Sequence, residues 1–119
     1  MHKQNRLQSS KSFDYIYKHG ASFKDKLLVL FVVKSKIKEP KVGFSVGKKV
    51  GGSVQRNKTK RRLKNALYRE FARVKKGNNY VVVARSGSAD APFDALYASL
   101  VSLFKAAGCF KERSEAENE

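Results

Sequence analysis

Hydrophobic positions recur along this chain with two spacings, which alternate. Phe13, Ile16 and Tyr17 fall at i, i+3 and i+4, the spacing of one helix face. Ser10 precedes them as a candidate cap, and Lys18-His19-Gly20 follows as a basic last turn with a terminating glycine. The unbroken run Leu27–Val33 is rich in Leu and Val, short and bounded by polar residues, which predicts a strand covered on at least part of both faces. After Pro40, residues 41–46 alternate, with Val42, Phe44 and Val46 facing one way and Gly43 and Ser45 the other. Helical spacing then returns at Leu63, Leu67, Phe71 and Val74, behind Ser53 as a candidate cap and ahead of Gly77-Asn78-Asn79. Tyr80–Ala84 predicts another strand. Asp90 is placed to cap a last helix with Phe93, Leu96, Leu100 and Leu103 on its core stripe and Gly108 at its end. The order helix, two or three strands, helix, strand, helix predicts an α/β (α+β) sandwich with a small mixed sheet. Residues 41–84 form a strand–helix–strand unit, which the general rule makes right-handed.

The whole chain, 1–119, reads as a single domain, with a polar, basic arm at 1–9 and a frayed polar tail at 112–119. Charge sharpens this picture. The net charge is +16, and its distribution is uneven: residues 1–76 hold 22 Lys/Arg against 4 Asp/Glu, whereas residues 77–119 hold 4 against 6. Folding gains nothing from such self-repulsion, so the expected partner is nucleic acid or an anionic membrane. The one cysteine, Cys109, excludes an internal disulfide and fits a reducing, cytoplasmic setting. The apolar run of residues 27–33 is far short of the ~20 residues that span a bilayer, and the first six residues have no apolar signal core.

The charge is densest at Gln55-Arg56-Asn57-Lys58-Thr59-Lys60-Arg61-Arg62-Leu63-Lys64, in the half of the second predicted helix that lacks an apolar stripe. Arg56 and Lys60 continue the line of Leu63 and Leu67, so this end should overhang the sheet. A helix start disfavours cations by ~0.3–1 kcal/mol each, yet its free N–H groups and dipole favour an anion there. A cluster that folding would avoid therefore points to phosphate binding. Lys48-Lys49 stand between glycines in the preceding loop.

Catalytic constellations are missing. The chain has no HExxH, no Cys/His cluster and no GxxxxGK[ST] phosphate loop. His2 and His19 lack spaced partners, and the few acidic residues are concentrated towards the C-terminus, unsuited to a two-metal site. What remains beside the cations is aromatic. Phe13 and Tyr17 either pack into the core as an ordinary helical stripe or flank a groove where unpaired bases stack.

These residues resemble a known family. Residues 56–61 (Arg-Asn-Lys-Thr-Lys-Arg) are similar to the signature of the bacterial ribonuclease P protein subunit. The likeness continues through Phe13…Tyr17-Lys18-His19-Gly20, through residues 42–51 (Val-Gly-Phe-Ser-Val-Gly-Lys-Lys-Val-Gly) and through residues 80–85 (Tyr-Val-Val-Val-Ala-Arg). It spans about residues 5–105. It implies an α-β-β-β-α-β-α fold, a two-layer sandwich with a left-handed β-α-β crossover against the general rule. It implies a protein that binds a large catalytic RNA and assists removal of the 5′ leader of precursor tRNA, with hydrolysis by Mg²⁺ held mainly by the RNA. By residue, it places Arg56, Asn57, Lys58, Lys60, Arg61 and Lys64 against the catalytic RNA, with Lys48 and Lys49 beside them. It places Phe13, Tyr17, Phe31 and Ser45 in a cleft for the single-stranded leader. Lys58 and Lys64 stand where the family pattern usually has Arg; Lys keeps the charge and loses the bidentate fork. No catalytic residue, no protein-held metal, no membrane and no DNA partner is implied.

Two other classes compete. A general RNA-binding or ribosomal protein would need the charge but not the aromatic cleft. A nuclease acting alone would need an acid/base or metal cluster that this sequence lacks.

Overall fold

The computed structural model describes residues 6, 7 and 9–111; the remainder of the 1–9 arm and the 112–119 tail lie outside the described residues. Elements follow in the order α1 (Ser10–His19), β1 (Ala21–Lys24), β2 (Leu28–Lys34), β3 (Lys41–Val46), α2 (Ser53–Glu70), β4 (Asn78–Ala84) and α3 (Phe93–Ala106), with 3₁₀ turns at Phe71–Arg73 and Ser86–Ala89. The strands form one mixed sheet in the order β1-β2-β4-β3. β1 and β2 pair antiparallel, as do β2 and β4, whereas β3 and β4 pair parallel across the α2 crossover. The α+β sandwich expected from the alternating spacings is what forms.

Side chains alternate across this sheet, so each face has its own core. Leu28, Leu30, Val42, Phe44, Tyr80 and Val82 face α2 and α3, where Leu63, Ala66, Leu67, Leu96, Leu100 and Phe104 close the main core. On the other face Val81 packs with Ile16 of α1 and with Leu7, and Phe13, Phe31, Val33 and Val83 lean against them. The sheet and the α2/α3 layer thus make the expected two-layer core, and α1 lies across the opposite face as a partial third layer.

Several local expectations shift. Ser10 is the first residue of α1 rather than its cap; Ser9 holds the N-cap position without a side-chain bond. Ser53 is likewise the first residue of α2, after Gly52. Pro92, not Asp90, precedes α3, because Ser86–Ala89 takes a 3₁₀ turn first. The Leu63–Val74 stripe is split: α2 ends at Glu70, and Phe71 and Val74 reach the core through a 3₁₀ turn. Gly20 is not left-handed (φ −80°); a Cβ there would stand 2.6 Å from the Ile16 carbonyl oxygen, so crowding, not turn geometry, requires glycine. Gly108 is left-handed (φ +70°). The Cys109 N–H bonds the Phe104 carbonyl at 2.9 Å and the Gly108 N–H bonds Lys105 at 3.0 Å, the double closure of a Schellman end.

The basic arm contains a buried anchor. Leu7 is 8% exposed, its N–H bonds the Val42 carbonyl at 3.1 Å, and Arg6 pairs with Val42 in a parallel bridge. This stitch brings an arginine from the start of the chain to the flank of α2.

Candidate nucleic-acid interface

The basic helix is anchored at one end only. From Ser53 to Lys58 no α2 residue is buried; Thr59, Leu63, Ala66, Leu67 and Glu70 are. Burying a Leu contributes ~1.5–3 kcal/mol, so the C-terminal half holds the helix while the other half projects. The first turn has no acidic residue and no side-chain cap, which leaves its backbone donors open. Because α2 begins at Ser53, the dipole penalty falls chiefly on Arg56, since the effect fades after one turn. Mutual repulsion is the larger cost further along.

Asn57, Lys60, Arg61 and Lys64 share one side of α2 and, with Val54, line a groove of ≈ 580 Å³. Arg56, Asn57 and Lys60 meet Val46 and Ser53 in a neighbouring hollow of ≈ 290 Å³. The Arg56 Nε is buried there without a hydrogen-bond partner. Lys58 is exposed but lines neither hollow; Lys48 and Lys49 are exposed on the turn before α2. Arg62 serves the fold, donating to the Ala91 carbonyl at 3.3 Å.

Phe13, Tyr17 and Phe31 come together. The Phe13 and Tyr17 ring centroids are 6.3 Å apart, and Tyr17 meets Phe31 edge-on at 5.1 Å. Tyr17 is 39% exposed, whereas Phe13 and Phe31 are half-buried against the Leu7–Ile16–Val81 cluster. Across the sheet Phe31 aligns with Val81 and Gly43, and the next row on that face is Val29, Val83 and Ser45. Ser45 therefore lies on the same face, half-buried, one row away from the rings. Val29 and Val83 complete this apolar floor, which sequence spacing alone did not single out.

One cavity joins the two groups. Arg6, Leu7, Phe13, Val42, Gly43, Phe44, Lys60 and Lys64 line a space of ≈ 320 Å³. Burial depresses the Lys64 pKa, and the charges of Lys60 and Arg6 depress it further. Three cations thus converge on one space with no carboxylate among its lining residues. Arg6 was missed from the sequence because nothing local shows that Leu7 carries it to β3. Elsewhere, burial raises the Cys109 thiol pKa, which keeps it protonated and poorly nucleophilic. Among the described residues, no three His, Cys, Asp or Glu side chains are grouped to hold a metal ion. No helix among them is long and apolar enough to cross a membrane.

A half-anchored basic helix beside a cluster of aromatic rings on one sheet face defines a class of small α+β protein with a strongly cationic surface. The comparisons make it particular: the Ribonuclease P family model matches residues 1–108, and the chain belongs to that family. It is 38% identical over 109 residues to the ribonuclease P protein component of Clostridium botulinum (strain 657 / Type Ba4), covering 91% of this chain and 98% of that one. It is also 38% identical to the Symbiobacterium thermophilum protein of the same name, covering 91% and 95%. The solved Staphylococcus aureus RNase P protein superposes with a TM-score of 0.84 at 29% identity, covering 90% of this chain and 98% of that one. The Thermotoga maritima RNase P protein gives 0.78 at 27%, covering 85% and 96%.

Proposed function

We propose that this chain is the protein component of a ribonuclease P holoenzyme and serves the 5′ maturation of tRNA. In this reading the start of α2 (Arg56, Asn57, Lys58, Lys60, Arg61 and Lys64, with Lys48 and Lys49 beside it) grips the catalytic RNA through its phosphates. The cleft of Phe13, Tyr17, Phe31 and Ser45 takes the single-stranded leader of precursor tRNA by stacking, and the protein works in the cytoplasm. Hydrolysis is done by the RNA and its Mg²⁺; the protein contributes binding and position.

The observation that carries the reading is the shared cavity, which Phe13 of the cleft and Lys60 and Lys64 of the basic helix line together. A strand lying on the aromatic rings is led onto the cations, as single-strand binders combine stacking with a charged groove. A ribosomal or general RNA-binding protein needs the second half of that arrangement but not the first.

Reconstitution tests it. Cleavage of precursor tRNA is measured at physiological Mg²⁺ with the protein alone, with bacterial ribonuclease P RNA alone, and with both. The expected result is no cleavage by the protein alone, and tighter binding and faster turnover of precursor tRNA when the protein joins the RNA. Cleavage without the RNA would make the protein a nuclease. Equal affinity of the assembled particle for precursor and mature tRNA would leave only a general RNA-binding role.

A further inference from the structure

The molecule carries a second basic surface, at the end of the sheet opposite the start of α2. Lys34, Lys36 and Lys38 belong to the end of β2 and the loop that follows it, and Lys75 and Lys76 to the loop before β4; all five are exposed. The two loops are fastened into one surface: the Ser35 N–H bonds the Gly77 carbonyl and the Gly77 N–H bonds the Lys38 carbonyl, each at 2.9 Å. The buried Tyr80 hydroxyl donates to the Lys75 carbonyl at 2.7 Å, and Gly77 takes the turn at φ +86°. None of the five is ion-paired to a described residue. Across both loops the sequence supplies one acid, Glu39.

Next to this surface, under the flank of α1 that faces away from the aromatic cleft, lies a hollow of ≈ 270 Å³ lined by Lys11, Tyr15, Lys34, Ser35 and Asn79, among others. Tyr15 is 55% exposed and meets the His19 ring at a tilt with centroids 4.5 Å apart, an aromatic ring at the rim of the hollow.

We propose that this end of the sheet is a second RNA-binding surface, with phosphates on the loop lysines and one base of the same strand on the exposed ring of Tyr15. The inference rests on the reading above that the chain is an RNA-binding protein, and adds a site to it. β3 runs between the two basic ends, and its six residues (Lys41–Val46) span about 20 Å. That exceeds the Debye length of ~8 Å at physiological salt, so the ends act as separate charge centres and hold separate stretches of RNA.

The test uses the full chain carrying Lys34→Gln, Lys36→Gln and Lys38→Gln together, with Arg61→Gln as reference and both combined. Affinity for transcribed ribonuclease P RNA, and affinity of the assembled holoenzyme for precursor tRNA, are measured over a salt series. Each lost phosphate contact should flatten the log-affinity against log-salt slope by ~0.7–0.9, and the two sets of substitutions should add. A loss in the first assay assigns the surface to the catalytic RNA; a loss confined to the second assigns it to the tRNA. An unchanged slope in both, with Arg61→Gln still effective, overturns this proposal and leaves the reading of α2 standing. If the lysines instead serve the chain's own acidic 112–119 segment, that unchanged slope is the result. Tyr15→Ala tests the stacked base: it should weaken RNA binding several-fold without lowering the melting temperature of the free protein, since this ring is exposed, and full affinity in Tyr15→Ala overturns that contact.

Discussion

The ring of Phe13 lies on Gly43, the β3 position that has no side chain. A Cβ built on Gly43 would stand 2.5 Å from the tip of that ring and 3.1 Å from the Leu7 Cβ. Glycine weakens a strand, so its presence inside one marks a close approach; here the approaching group is the first aromatic of the cleft. Gly43→Ala should push Phe13 off the sheet. Overpacking of this kind costs ~1–3 kcal/mol, so the melting temperature should fall. The preference of the holoenzyme for precursor over mature tRNA should fall with it. Retained preference at full stability would mean that Phe13 does not form the cleft.

Tyr17 separates stacking from packing more cleanly, because it is partly exposed and Ile16 beside it already fills the core. Tyr17→Ala should weaken precursor tRNA binding by roughly 5- to 150-fold, the ~1–3 kcal/mol of one stacked base, and leave mature tRNA, which has no leader, nearly unaffected. Tyr17→Phe should retain most of the binding. Equal losses for the two tRNA forms, with a lower melting temperature, would reduce the ring to packing against Phe31.

Periodicity made the sheet and the two large helices legible because their signals are local. Lys41–Val46 alternates in sequence and in space, and Leu63/Leu67 and Leu96/Leu100/Leu103 mark the faces that meet. The helix starts were read one or two residues off, since none of the candidate Ser and Asp caps makes a side-chain cap bond. For the site, the spacing of Phe13 and Tyr17 favoured core over groove, and in the fold Phe13 leans on the Leu7–Ile16–Val81 cluster whereas Tyr17 is 39% exposed. Leu7 and Arg6 were illegible for a different reason. Their partner Val42 is remote in sequence, and no repeat of period two or 3.6 can register a contact between an arm and a strand.

Arg56 and Arg61 should behave differently as Ala variants. Arg61 is exposed on the groove side of α2, whereas Arg56 is half-buried with an unpartnered Nε. Arg61→Ala should leave the melting temperature unchanged; Arg56→Ala should leave it unchanged or raise it slightly, since an unsatisfied buried donor is removed. Both should flatten the salt dependence of binding to the catalytic RNA by about one unit or less each. Unaltered slopes in both variants would exclude phosphate contacts at these positions.

Asp25 fastens the β1–β2 turn to α3. Its carboxylate accepts from the Leu27 and Leu28 N–H groups, each at 2.9 Å, and from the Ser99 hydroxyl at 2.5 Å. Burial alone would raise its pKa, but the Ser99 hydroxyl, the Leu28 and Leu27 N–H groups and the Arg85 charge outweigh it and hold the pKa below the ordinary value. A carboxyl with a depressed folded-state pKa contributes stability that is present above the unfolded value of ~3.9 and is lost as pH falls through the folded one. Asp25→Ala should therefore cost ~1.5–3 kcal/mol at neutral pH and flatten the acid limb of the melting temperature against pH. An acid limb identical to that of the parent chain would remove Asp25 from the set of stabilising carboxylates.

Lys64 is placed where folding and binding pull in opposite directions. Burial, then Lys60 and Arg6, lower its pKa, so the folded chain holds this proton less firmly than the unfolded one. The sign is the reverse of that for Asp25: the charged form costs stability, fully so at neutral pH, and the cost is relieved only as pH rises through the depressed value. Lys60 and Lys64 are four residues apart on α2, and a like-charge pair at that spacing costs ~0.2–0.5 kcal/mol by itself. Lys64→Gln should therefore raise the melting temperature of the free protein slightly. The same substitution should weaken binding to ribonuclease P RNA and flatten its salt dependence, because a phosphate in the cavity of Arg6, Lys60 and Lys64 would be the anion these cations lack. Arg6→Gln should act in the same two directions, and the two changes should be less than additive, since each removes a neighbour that burdens the other. A stability gain with undiminished RNA affinity would mean that the cavity holds no phosphate. A stability loss would mean that Lys64 packs rather than repels.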